Sequence, residues 1–350
     1  MGNEAMSEML RQSMSNNDLR QCLRITVGAS VGFCFAKVFG WSYGVFFTVL
    51  PMLLLGLVPV MNGHAARQLL AAGVMCALEV GIIGGLLGGQ PVAMTIVAFG
   101  LFLYRFRCMA RGPLFLFGAN GVLMLSIMLH FASYPDTDVN QLIASNLVAT
   151  LLSIVIAYML TVFIPDVEPR QPPPAPVQGK EKHRIRHESL LGAGVATLSF
   201  LAFQILDLRD SMSAQATTIL VLFPMHWNGA LIYARRRAMG TILGVAYGLL
   251  VQLVLYDWYD NLLLILPLFM FGTLIFSKLH IREASGAGIG FGALTTLGIL
   301  FGQYLSPSSD LVFSGLYRVS STLGAIVVAM FACYCLHKLL NQFAATRFGH

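Results

Sequence analysis

Apolar runs of near-bilayer length, separated by short polar stretches, recur along the whole chain and constrain its fold more than any motif. A helix needs roughly 20 apolar residues to cross a membrane, and fewer where it is partly re-entrant. Twelve such segments are legible. The first six are Leu23–Phe39, Val45–Val60, Leu69–Leu87, Val92–Tyr104, Leu114–Phe131 and Leu142–Ile164. The second six are Leu190–Leu206, Ala214–Ile232, Ala238–Tyr256, Leu262–Phe276, Ala287–Tyr304 and Phe313–Leu336. Hydrophobic residues make up 57% of the chain and charged residues 11%, with a mean hydropathy of +0.73. Too little polar surface remains to cover a soluble globule of 350 residues. The expectation is an all-α polytopic membrane protein of about twelve transmembrane helices.

Charge placement gives an independent reading of topology. When the segments are threaded back and forth, nineteen of the 22 Lys and Arg fall on one side. The exceptions are Arg209 in a loop, and Lys37 and Arg318 near helix ends. Loops on the opposite side carry Asp136, Asp138, Asp207, Asp210, Asp257, Asp260 and Asp310. By the positive-inside rule both termini and the central linker are cytoplasmic. The expected divisions are a cytoplasmic segment 1–22, a six-helix repeat 23–164, a proline-rich charged linker 165–188, a second repeat 189–337 and a cytoplasmic tail 338–350. Residues 1–21 are polar and lack an apolar h-region, so no cleavable signal peptide is expected. From Pro165 to Pro176 and through the charged run Lys180 to Glu188, the linker reads as short, stiff and solvated.

The net charge of +6 comes from short clusters at helix ends, which fits topology and argues against a nucleic-acid partner. The six cysteines lie in or beside predicted helices, so disulfides are not expected. Cys333 and Cys335 would point about 200° apart on a helix, which fits packing better than a metal site. No metal or other cofactor is expected, and the chain has no P-loop, nucleophile elbow or redox motif. That argues against an ATPase pump and against most membrane enzymes.

The halves echo each other. Pro135 and Pro307 stand 172 residues apart, as do Asp138 and Asp310. Leu57-Val58-Pro59 before Asn62-Gly63 is echoed by Leu222-Phe223-Pro224 before Asn228-Gly229. Six helices per repeat is an even number, so the repeats are expected to be parallel. In the second half Arg235-Arg236-Arg237 runs into an apolar helix bearing Gly240, Thr241, Gly244 and Gly248. Three adjacent arginines are expected to fix that helix start at the cytoplasmic surface. The small residues form a packing face where backbones approach closely.

This Arg-x-x-Gly-Thr-x-x-Gly pattern after a Pro-interrupted apolar segment resembles the fusaric acid resistance, or aromatic acid exporter, superfamily. A related form, Arg318-x-x-Ser321-Thr322-x-Gly324, opens the last helix, while the first half keeps only Arg67 and small residues. The position matching Arg318 there is Asn146. The resemblance implies a bacterial inner-membrane component that exports aromatic or other organic acids beside a periplasmic membrane-fusion adaptor and an outer-membrane channel. It also implies a compact member, because larger members carry a cytoplasmic domain where this chain has only the linker. A passive organic-anion channel and a non-transporting assembly subunit are the alternatives. Homo-oligomers are compatible with either, since a lipid-facing helix surface is as apolar as a buried one.

Individual residues point to chemistry. Glu79, near the middle of the third segment, is expected to face the protein interior with a raised pKa or a cationic partner. It serves either proton coupling or a structural hydrogen bond. Arg318 could hold a carboxylate with two hydrogen bonds, or pair with an external Asp. Arg237 and Lys37 are further candidates for an anion pathway. Pro51 and Pro59 in the second segment and Pro224 in the eighth would bend helices that flank a substrate site, or serve packing alone. The cluster Arg105, Arg107 and Arg111 reads as an anion-attracting vestibule or a topology anchor.

Overall fold

The computed structural model describes residues 14–134, 136–170, 180–208, 212–255, 258, 261–283, 288–303 and 311–348. Arg209, Asp210, Asp257, Asp260, Pro135, Pro307 and Asp310, singled out above, lie outside the described residues. Among the described residues there are twelve α-helices: α1 Asn16–Val38, α2 Gly44–Leu57, α3 Gly63–Leu87, α4 Pro91–Arg111, α5 Phe115–Ala132 and α6 Val139–Phe163. The second half holds α7 Lys182–Ile205, α8 Met212–Val221, α9 Trp227–Leu255, α10 Leu262–Arg282, α11 Ile289–Gln303 and α12 Leu311–Asn341, followed by a 3-10 turn at Ala344–Thr346. Among the described residues, eight helices are long and apolar enough to cross a membrane: α3 to α7, α9, α10 and the Gly315–Asn341 part of α12. Shorter apolar helices are α2, α8 and most of α11. The chain is a multi-pass membrane protein.

Local chemistry sets several boundaries. At the start of α1, Ser15 Oγ accepts from the Asp18 N–H and Asp18 Oδ2 accepts from the Ser15 N–H, both at 3.1 Å. This capping box satisfies donors that the first helical turn leaves open. Pro51 lies inside α2 and Pro267 inside α10; the second had drawn no attention in the sequence.

Four expectations need correction. The eighth apolar segment is not one helix: α8 stops at Val221, the chain turns with Met225 at φ +62°, and α9 begins at Trp227. Pro224 therefore lies in the connection, and Pro59 likewise falls beyond the end of α2. Proline lacks an N–H and disfavours helical geometry at the preceding residue, so in both places the helix has ended before it and is not bent by it. Arg235, Arg236 and Arg237 do not open a helix either, because they sit more than two turns inside α9. Arg237 is only 1% exposed, held by protein acceptors instead of water.

The described ends of the linker are also less solvated than its composition implies. Asp166 binds Arg24 of α1 at 2.6 Å and Arg170 at 2.7 Å, and the Asn17 side chain accepts from the Val167 N–H. Helix α7 begins at Lys182, with His187 and Glu188 buried.

The chain divides into two compact units, each discontinuous in sequence. The first gathers α1, α2, α6 from Val148, α9 from Arg236, α10, α11 and α12 as far as Val319. Within it α1 packs on α2 and α10, α2 on α11, and α10 on α11. Phe269 lies at its centre, with ring centroids 4.8 Å from Phe33 and 5.1 Å from Phe301. The second unit gathers α3, α4, α5, α6 up to Leu147, α7, α8, α9 up to Arg235 and α12 from Ser320. Here α7 packs on α8 and α4, α5 on α8 and α4, and α3 on α5.

Candidate functional site

Glu79 points from α3 toward Arg105 of α4. Both carboxylate oxygens lie 2.8 Å from Arg105 Nη2. The arginine side chain is wholly buried and the glutamate is 13% exposed. Burial follows from the sequence of α4, where Ala98, Phe102, Arg105, Phe106 and Met109 recur on one inward face. Facing them, α5 carries Gly121, where an added Cβ would come within 3.1 Å of Arg105 Cδ and Nε. A larger residue would contest the arginine's space.

The pair is unevenly satisfied. A guanidinium offers five N–H donors, yet Arg105 Nε and Nη1 are buried and meet no acceptor among the described residues. The charge is partly balanced by aromatic faces instead, with Arg105 Cζ lying 4.4 Å from the Phe117 ring centroid and 5.7 Å from that of Tyr104. Gln68 fixes this corner from α3. Its Oε1 accepts from the Phe117 N–H at 3.0 Å, and its Nε2 donates to the Pro113 carbonyl at 3.2 Å. Phe117 lies in the first turn of α5, whose N–H groups have no partner within the helix, so Gln68 acts as a cap supplied by a neighbouring helix.

In the first unit the buried cations are held differently. Arg237 Nη1 donates to the Gly292 carbonyl at 3.4 Å and to Thr295 Oγ1 on α11. Arg24, fully buried, donates to Asp166 and, at 3.3 Å, to the Ile164 carbonyl.

Residues 197–332 match the family described as fusaric acid resistance protein-like. Residues 21–160 match a family described as a protein of unknown function, DUF2955. No curated protein and no solved structure matches the chain.

The region 197–332 that matches the fusaric acid resistance protein-like family contains Pro224, Arg237, Gly240, Thr241, Gly244 and Arg318, whereas Lys37 and the Glu79–Arg105 pair lie in the other matched region. Within region 197–332, Gly240 and Gly244 bring α9 against α11. A Cβ on Gly240 would stand 2.4 Å from the Ile289 carbonyl oxygen, and one on Gly244 would stand 2.9 Å from that of Ala293. Thr241 Oγ1 donates to the Arg237 carbonyl at 3.0 Å, which keeps its hydroxyl satisfied inside the helix. Arg318 is 2% exposed on α12, and Lys37 is exposed in the last turn of α1.

Three features escaped the sequence. Arg105 was grouped with Arg107 and Arg111, although its position on the apolar face of α4 separates it from them. Gln68 drew no attention. Beyond the matched region 197–332 on either side, His337 comes within 3.0 Å of His187, 150 residues earlier, and His187 Nδ1 also lies 2.7 Å from the Thr346 carbonyl.

Proposed function

We propose that the chain carries small organic anions, above all aromatic carboxylates, out across a bacterial inner membrane, each accompanied by a proton on Glu79. The observation that carries this reading is the Arg105 guanidinium, wholly buried, bound to Glu79 through one nitrogen and lined by Phe117 and Tyr104. While Glu79 is ionised it occupies the guanidinium. A proton bound by Glu79 removes that counter-charge, and a substrate carboxylate takes its place, drawing on the Nε and Nη1 donors. The substrate ring then packs against Phe117 and Tyr104. Loss of the proton from Glu79 restores the ion pair and releases the substrate. Charge at the site balances in both states, because either Glu79 or the substrate neutralises Arg105.

The reading extends to topology and assembly. Two six-helix parallel repeats are supported by the 172-residue spacing of Pro135 with Pro307 and of Asp138 with Asp310. They are supported again by the internal packing of the units, since α1, α2, α10 and α11 pair in the first as α7, α8, α4 and α5 pair in the second. Both termini are assigned to the cytoplasm from the distribution of Lys and Arg. A periplasmic membrane-fusion adaptor is proposed as the onward partner, as the resemblance of the Arg-x-x-Gly-Thr-x-x-Gly pattern implies. Arg237, Arg318 and Lys37 are proposed to draw anions along the pathway.

The deciding experiment measures flux of benzoate and hydroxybenzoate in oriented vesicles containing this protein alone, with and without an imposed pH gradient. Gradient-driven accumulation that Glu79→Gln abolishes is expected. Flux that merely equilibrates in the native protein would establish a passive channel instead, and unchanged accumulation in Glu79→Gln would remove Glu79 from the coupling.

A further inference from the structure

On the face of α4 away from Arg105, Leu103, Arg107 and Arg111 recur at four-residue spacing. On α7, Lys182, Arg186 and Leu190 do the same. These two rows line one cleft of about 320 Å³ in the second unit. We infer that the cleft binds an anionic phospholipid, with the headgroup phosphate held by the four cations and an acyl chain lying along the leucines.

The cations of this region are sorted. Buried Glu188 takes Lys180 at 2.6 Å and Arg184 at 3.2 Å, engaging two of them with one carboxylate. Arg107, Arg111, Lys182 and Arg186 form no ion pair among the described residues, although all four are exposed. Four like charges around one cleft repel each other, and an anion seated between them relieves that repulsion. The N-terminal turn of α7 adds partial positive charge at the same end.

The second argument is polarity along the cleft. Arg111 and Leu103 are eight residues apart, and so are Lys182 and Leu190, a rise of about 12 Å on each helix. Cations therefore mark the ends of two membrane helices and the apolar lining lies deeper. A phospholipid has this distribution, with phosphate at the interface and hydrocarbon below it. A small soluble phosphate would use only the outer part.

The test uses the full chain, delipidated in a non-ionic detergent. Phosphatidylglycerol, phosphatidylcholine, glycerol 3-phosphate and benzoate are titrated separately, with bound mass read by native mass spectrometry and Tm by thermal unfolding. Phosphatidylglycerol is expected to bind and raise Tm, with phosphatidylcholine at least tenfold weaker. The double variant Arg107→Gln with Arg186→Gln should weaken phosphatidylglycerol binding about tenfold or more. Arg235→Gln with Lys338→Gln removes the same charge from exposed positions outside the cleft and should leave it unchanged. If the first pair misfolds, Arg111→Gln with Lys182→Gln asks the same question at the outer rim. Equal binding of phosphatidylcholine, or full phosphatidylglycerol affinity in the cleft variants, would overturn the inference. Glycerol 3-phosphate binding as tightly as the lipid would assign the cleft to a soluble phosphate, and benzoate doing so would assign it to a soluble carboxylate; either result also overturns it.

Discussion

The Phe106 ring of α4 fills the space beside Gly192 of α7, where an added Cβ would lie 2.5 Å from the ring's Cδ1. Phe106 is wholly buried, so the ring has no free volume into which to withdraw. Gly192→Ala is expected to cost about 1–3 kcal/mol through overpacking, measured as a lower unfolding temperature in detergent. Shortening the ring by Phe106→Leu in the Gly192→Ala background should recover part of that loss, because contacting sites are not additive. A Gly192→Ala protein as stable as the native one would show that α4 and α7 can separate freely.

Removing only one partner of the buried ion pair leaves a desolvated charge behind. Glu79→Leu should destabilise the protein by about 3–5 kcal/mol. Glu79→Gln should cost less, because its amide oxygen still accepts from Arg105. Replacing both residues, as Glu79→Leu with Arg105→Leu, should restore much of the stability while abolishing gradient-driven transport. Thermal unfolding and vesicle flux on the same four proteins separate the structural from the functional share of the pair.

Gln68 acts through the start of α5. In Gln68→Leu the Phe117 N–H loses its side-chain partner, at a cost of about 1–3 kcal/mol for the group left unsatisfied, while the Pro113 carbonyl keeps His64 at 3.4 Å. Amide exchange should quicken locally at Phe117 while α3 stays protected. Uniform loss of protection along α3 would show that Gln68 supports its own helix instead.

The clasp between α1 and the linker depends on pH. Burial alone would raise the Asp166 carboxyl, but hydrogen bonds from Arg170 and Arg24 outweigh it and hold the group below its ordinary value. A depressed folded pKa stabilises the protein above the unfolded value, near pH 3.9, and that stabilisation is lost as pH falls through the folded value. Asp166→Asn should therefore melt below the native protein at about pH 7, and the gap should narrow as pH falls below about 3.9. A gap of constant size would place the clasp's strength in packing and not in charge.

Helices were largely legible because apolar run length reports directly on the span a helix makes. Their ends were less so. Leu222 and Phe223 continue the hydrophobic run past Val221, so hydropathy passes through the turn, and a proline reads equally well as a kink or a stop. Site chemistry was legible one residue at a time and not in pairs. Glu79 declared itself as a carboxylate in an apolar segment, but Arg105 lies on another helix, and its arginine neighbours in sequence face elsewhere. Arg237 was misplaced for the same reason. An arginine satisfied by water and one satisfied by a carbonyl of α11 look alike until the chain is folded.

The discontinuity of the two units has a consequence for how the protein is made. A ribosome that has delivered everything through α6 has delivered neither unit, because α1 and α2 still await α10 and α11, and α4 and α5 still await α7 and α8. The early helices must be held in the lipid with unfilled packing faces until the second half emerges. Two fragments divided at the linker, synthesised apart in one membrane, should then be interdependent, each degraded alone and protected only by the other.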